Sequence, residues 1–127
     1  MTIAFWCVLI AGCLPLVTVG IAKWDKRYDN NAPRDWLSRQ EGAKKRAYAA
    51  HLNSFEAFPF FAAAVIVATI AKAPIALIDG LAVLFIAARI VYIWCYISDK
   101  ASLRSLIWMV GFGTTVALFI IAGVAAK

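Results

Sequence analysis

Four long apolar runs, separated by short polar breaks, set the pattern of this chain. They cover about residues 2–22, 47–71, 75–97 and 103–125, each close to the ~20 residues that a helix needs to cross a bilayer core about 30 Å thick. The first run lacks a basic N-terminal region. It is too long and too evenly apolar for a cleaved leader, and it ends against Lys23, Lys26 and Arg27. The pattern predicts an all-α integral membrane four-helix bundle, up-down-up-down, forming one domain over residues 1–127. Pro15 and Pro59 fall inside the first and second helices, where a membrane helix tolerates proline if neighbours satisfy the freed carbonyl.

The breaks are unequal. Residues 23–46 form the only sizeable polar loop, with the turn signal Ala32-Pro33-Arg34 in its middle, whereas Lys72-Ala73-Pro74 and residues 98–102 are tight turns. Eight basic residues (Lys23, Lys26, Arg27, Arg34, Arg39, Lys44, Lys45 and Arg46) occupy the first loop, Lys100 and Arg104 mark the third, and the second holds only Lys72. Positive-inside bias therefore places loops one and three in the cytoplasm and both termini outside, with Trp24, Trp36 and Trp94 at the cytoplasmic interface.

Composition agrees with lipid as the solvent: 64% of the 127 residues are hydrophobic and the mean hydropathy is +0.80. The net charge of +6 sits between the apolar runs. It reads as topology and headgroup contact, and no nucleic-acid-binding motif accompanies it. Cys7, Cys13 and Cys95 lie in apolar stretches without paired spacing, so they imply neither a disulfide framework nor a metal site.

Within the spans, charge is rare because each ionised group costs about 2.5 kcal/mol or more to insert. Glu56 and Arg89 are the exceptions. At 1.5 Å per residue they lie roughly 10 and 12 Å below the cytoplasmic edge of antiparallel helices, a similar depth that makes them candidate ion-pair partners. Arg46, Ala50, Asn53 and Glu56 follow one helical stripe, with His51 beside it, and Arg89, Tyr92 and Tyr96 share a face of the third helix. Arg104 and Ser105 open the fourth helix at the same level. Such a cluster either builds a polar cleft or fastens the bundle through buried polar contacts.

The run Arg46-Ala47-Tyr48-Ala49-Ala50-His51-Leu52-Asn53-Ser54-Phe55-Glu56-Ala57-Phe58-Pro59 resembles the second-helix signature of the MAPEG family, the membrane-associated proteins of eicosanoid and glutathione metabolism. Ala88-Arg89-Ile90-Val91-Tyr92, Tyr96 and Leu103-Arg104-Ser105 are similar to its third helix and the start of its fourth, and Asn30-Asn31-Ala32-Pro33-Arg34 to the loop of its bacterial branch. The resemblance implies a homotrimer in a bacterial inner membrane, with glutathione as co-substrate between subunits near the cytoplasmic face. It implies that Asn53 and Glu56 bind the peptide, that Arg89, Tyr92 and Tyr96 line the pocket, and that Arg104 or Ser105 stabilises the thiolate. A neighbouring arginine lowers a thiol pKa from its free value of about 8.5. Arg46, His51, Lys23 and Lys26 would complete the binding set, the basic ones drawing in the carboxylates of glutathione. The expected reaction is transfer to an apolar electrophile or reduction of a peroxide. The chain departs from the pattern at Ala49 and Leu52, where some members carry basic residues. A non-catalytic scaffold or lipid-binding trimer is one alternative. A small proton-coupled exporter is another, although the first helix lacks an acid.

Overall fold

The computed structural model describes residues 1–127, which form five helices: α1 (Ile3–Lys23), α2 (Pro33–Ser38), α3 (Gly42–Ile70), α4 (Ile75–Ile97) and α5 (Ala101–Ala125). α1, α3, α4 and α5 are each long and apolar enough to cross a bilayer, and the chain is an integral membrane protein. α3 and α4 form the centre. α1 packs along both on one side and α5 packs along both on the other, and α1 and α5 share no substantial contact.

Small residues set how closely these helices approach. Ala4, Ala11, Ala64, Ala68, Ala82 and Ala122 are buried at the crossings, where their size lets backbones come together without a hydrophobic driving force from water. Phe61, Phe85, Val65 and Leu118 fill the space between them, and the Phe61 and Phe85 rings stack with centroids 3.8 Å apart. Leu16, Val17, Ile70, Met109, Ile120 and Val124 point outward, as expected where the solvent is lipid.

The polar segment is more ordered than a plain loop. Pro33 starts α2 at a position where its missing N–H is no loss, and Leu37 on this helix is buried against Ala22 and Ala47. α3 then begins at Gly42, five residues before the start at 47 that hydropathy suggests, because Ala43-Lys44-Lys45-Arg46 is a good helix-forming run although it is polar. Lys44 returns from α3 to pair with Asp25, which Arg27 also grips through Nη2 at 3.0 Å. The Arg27 guanidinium first, then the Lys44 ammonium, hold the Asp25 carboxyl well below the usual carboxylate range, and the same partnership raises Arg27.

Two helices end alike. Lys72 and Asp99 both adopt left-handed backbone, with φ of 58° and 59°. The amides of Lys72 and Ala73 bond the carbonyls of Thr69 and Ala68, and those of Asp99 and Lys100 bond the carbonyls of Tyr96 and Cys95. These are Schellman stops, which satisfy the last free carbonyls of a helix.

Candidate functional site

Arg89 is the most deeply placed cation, 4% exposed between α3, α4 and α5. Its Nη2 donates to Ser54 Oγ at 3.2 Å, and its guanidinium lies 4.3 Å from the Tyr92 ring centroid. Ser54 Oγ in turn donates to the Ala50 carbonyl at 2.9 Å. The candidate Glu56–Arg89 ion pair does not form: no salt bridge joins them, and Arg89 is held by a hydroxyl and an aromatic face. The reason is helical geometry. Ser54 points into the α3–α4 seam, while Glu56, two residues on, is turned through about 200° to the flank.

On that flank Glu56 is exposed and accepts from Asn53 Nδ2 at 3.3 Å. The Asn53 amide oxygen is buried without a hydrogen-bond partner. Buried polar atoms are usually satisfied, so this oxygen marks the site as incomplete in the isolated chain.

Two adjoining cavities meet at Asn53 and Trp108. One, about 190 Å³, has Glu56, Asn53 and Arg89 at one end and Phe60, Phe85 and Phe112 at the other. Gly111 forms part of its wall, and a side chain there would approach Ala88, Arg89 and Phe85. The second, about 300 Å³, is lined by Asn53, Tyr92, Arg104, Ser105, Trp108 and Met109. Arg104 lies 4.3 Å from the Tyr96 ring centroid, and the Tyr96 and Tyr92 rings meet edge to face at 5.7 Å. Ser105 Oγ donates to the Ala101 carbonyl. The structure thus brings together Asn53, Glu56, Arg89, Tyr92, Tyr96, Arg104 and Ser105.

The other residues expected at the site lie elsewhere. His51 faces α1, where Nδ1 meets the Pro15 carbonyl at 2.7 Å between the Tyr48 and Phe55 rings. Because a carbonyl only accepts, Nδ1 carries the proton. Arg46 donates through Nε to the Ile97 carbonyl at 3.1 Å, tying α3 to the end of α4. Lys23 lies over the Tyr28 ring at 5.1 Å, and Lys26 is exposed on the loop. None of these four lines either cavity. Conversely, Ser54, Trp108, Gly111, Phe112 and Thr115 were not expected. Ser54 stands on α3 without charge to mark it, and the other four are signalled only by spacing on α5, which does not reveal which way that helix is rotated.

Fold and cavities together make this a membrane-spanning helical bundle whose polar cluster, near one end of its spans, is continuous with an aromatic cavity. The MAPEG family model matches residues 3–124, and the chain belongs to that family. No curated protein and no solved structure matches it.

Proposed function

We propose that this protein is a membrane-bound glutathione-dependent transferase or peroxidase, working as a homotrimer on apolar electrophiles. One observation carries the reading: a carboxylate and an amide oxygen without sufficient partners stand together inside a membrane span. Lipid cannot satisfy them, so a ligand or a neighbouring subunit must. The residues present fit glutathione. Glu56 suits its ammonium, the free Asn53 oxygen suits an amide N–H, and Arg104 suits an anionic group.

Glutathione supplies a sulfur nucleophile, which bonds to an electrophilic carbon as the leaving group departs with its electron pair. Alternatively, two thiols form a disulfide as a hydroperoxide is reduced to alcohol and water. The chain's own part is electrostatic and positional. Arg104, fixed over Tyr96, provides the positive charge that favours thiolate over thiol. Asn53 and Glu56 orient the peptide, and the end of the cavity at Phe60, Phe85 and Phe112 excludes water from an apolar partner arriving through the bilayer.

The scaffold alternative draws support from Arg89, whose bond to Ser54 fastens α4 to α3 without any ligand, while Tyr92 on its own helix covers the guanidinium. Arg104→Ala separates the readings. Thiol-dependent turnover of an aryl halide or a lipid hydroperoxide should fall at least tenfold with the fold retained. Undetectable turnover in the parent, or an unchanged rate in the variant, contradicts the enzymatic reading.

A further inference from the structure

At the opposite end of the bundle from the polar loop lies a third cavity of about 250 Å³, lined by Thr2, Thr69, Lys72, Ile75, Ile78 and Asp79 among others. It holds one acid and one base that do not pair with each other. Asp79 Oδ1 accepts from the Ala4 amide at 2.8 Å and so caps α1 from a different helix. Its Oδ2 has no protein partner. Lys72 projects from the left-handed residue that ends α3, a position where glycine fits best and where asparagine or aspartate is the usual substitute. A lysine there is disfavoured for the turn, and the turn gives no reason for its ammonium.

The hydroxyls divide in the same way. Thr69 Oγ1 donates to the Val65 carbonyl at 2.8 Å, which leaves it lone pairs with which to accept. Thr2 Oγ1 accepts from the Phe5 amide, which leaves its proton free to donate. The cavity therefore presents acceptors at Asp79 and Thr69 and donors at Lys72 and Thr2. It offers many times the space that one water needs. Beside it, Ile70, Ile75 and Leu77 are exposed on the lipid-facing side.

We propose that this cavity binds a zwitterionic amine–phosphate headgroup, its ammonium on Asp79 Oδ2 and its phosphate on Lys72 and Thr2. The apolar flank favours a lipid, phosphatidylethanolamine, over a soluble compound of the same chemistry. A quaternary amine donates no hydrogen bond to Asp79, and phosphatidylglycerol offers no cation, so either should bind less well.

The test is the thermal midpoint of the full-length detergent-solubilised protein with phosphatidylethanolamine, phosphatidylcholine or phosphatidylglycerol added at equal mole fraction. Glycerophosphoethanolamine serves as the soluble arm. Phosphatidylethanolamine should raise the midpoint saturably and at least twice as far as the other two lipids. Lys72→Gly, which suits the turn, and Asp79→Asn, which keeps an oxygen for Ala4, should each reduce its effect to the phosphatidylcholine level. Equal effects of the three lipids in the parent, or full phosphatidylethanolamine preference in either variant, would overturn the site. If Asp79→Asn does not fold, Lys72→Gly decides alone. A matching shift with glycerophosphoethanolamine assigns the same chemistry to a soluble source, and no shift assigns it to the lipid.

Discussion

If Ser54 rather than Glu56 holds Arg89, the two should be energetically coupled, and a double-mutant cycle reads that coupling directly. Ser54→Ala removes the acceptor 3.2 Å from Nη2 and leaves a 4%-exposed guanidinium with only the Tyr92 face. Hydrogen bonds to charged groups contribute about 1.5–3 kcal/mol in soluble proteins, whereas polar pairs between membrane helices average about 0.6 and reach about 1.7. Arg89 is charged and well buried, so Ser54→Ala should cost about 1–1.7 kcal/mol, the upper part of the membrane range. Arg89→Met keeps an unbranched apolar stem beside Gly111, and Ser54 keeps its bond to Ala50. In the Arg89→Met background the same serine change should therefore cost no more than about 0.5 kcal/mol. Unfolding in mixed micelles with rising SDS, followed by tryptophan fluorescence, supplies all four stabilities. An equal cost for Ser54→Ala in both backgrounds would refute the assignment.

Further outcomes follow from the same geometry. Phe61→Ala empties the fully buried half of the Phe61–Phe85 stack and should cost about 3–5 kcal/mol, measured by the same unfolding assay. Glu56→Gln, on the exposed flank, should change stability without ligand by no more than about 0.5 kcal/mol while removing any stabilisation by glutathione. A Cβ at Gly111 meets nothing nearer than 3.8 Å, so Gly111→Ala should fold with at least parental stability; a lower unfolding midpoint would show that the wall is tighter than described. The Asp25 clamp has a depressed folded pKa. Its stabilisation is thus complete above the unfolded carboxylate value of about 4 and is lost as pH falls through the lower folded value. Loop protection against trypsin should accordingly be flat from pH 6 to 8, and Asp25→Asn should speed cleavage across that range.

The spanning helices were legible because apolar run length is dictated by bilayer thickness, a constraint that depends on no tertiary detail. The polar cluster was legible for a related reason, since Asn53, Glu56 and Arg89 are conspicuous in an apolar background. Rotation was not legible. Stripe spacing grouped Arg46 with Asn53 and Glu56, yet Arg46 reaches back to the Ile97 carbonyl and His51 turns to α1, because backbone carbonyls that no pattern reveals attract them. Depth alone paired Glu56 with Arg89, and azimuth undid it: Ser54, a residue with no outward sign of importance, occupies the seam. On α5 the charge of Arg104 marks the start of the helix, and nothing marks the uncharged turns that follow it. Trp108, Gly111 and Phe112 carry no charge to set them apart in an apolar run, and the packing of α5 against α3 and α4 is what brings them to the cavity.

Whether the polar cluster around Asn53 and Glu56 binds glutathione is decided by the thermal midpoint of the solubilised protein across a glutathione titration. Glu56→Gln is run alongside, and γ-glutamyl-free cysteinylglycine serves as the control thiol. A glutathione site gives a saturable rise in the parent, absent in Glu56→Gln and absent with the control. No rise up to millimolar glutathione, or an equal rise in the variant, would contradict such a site.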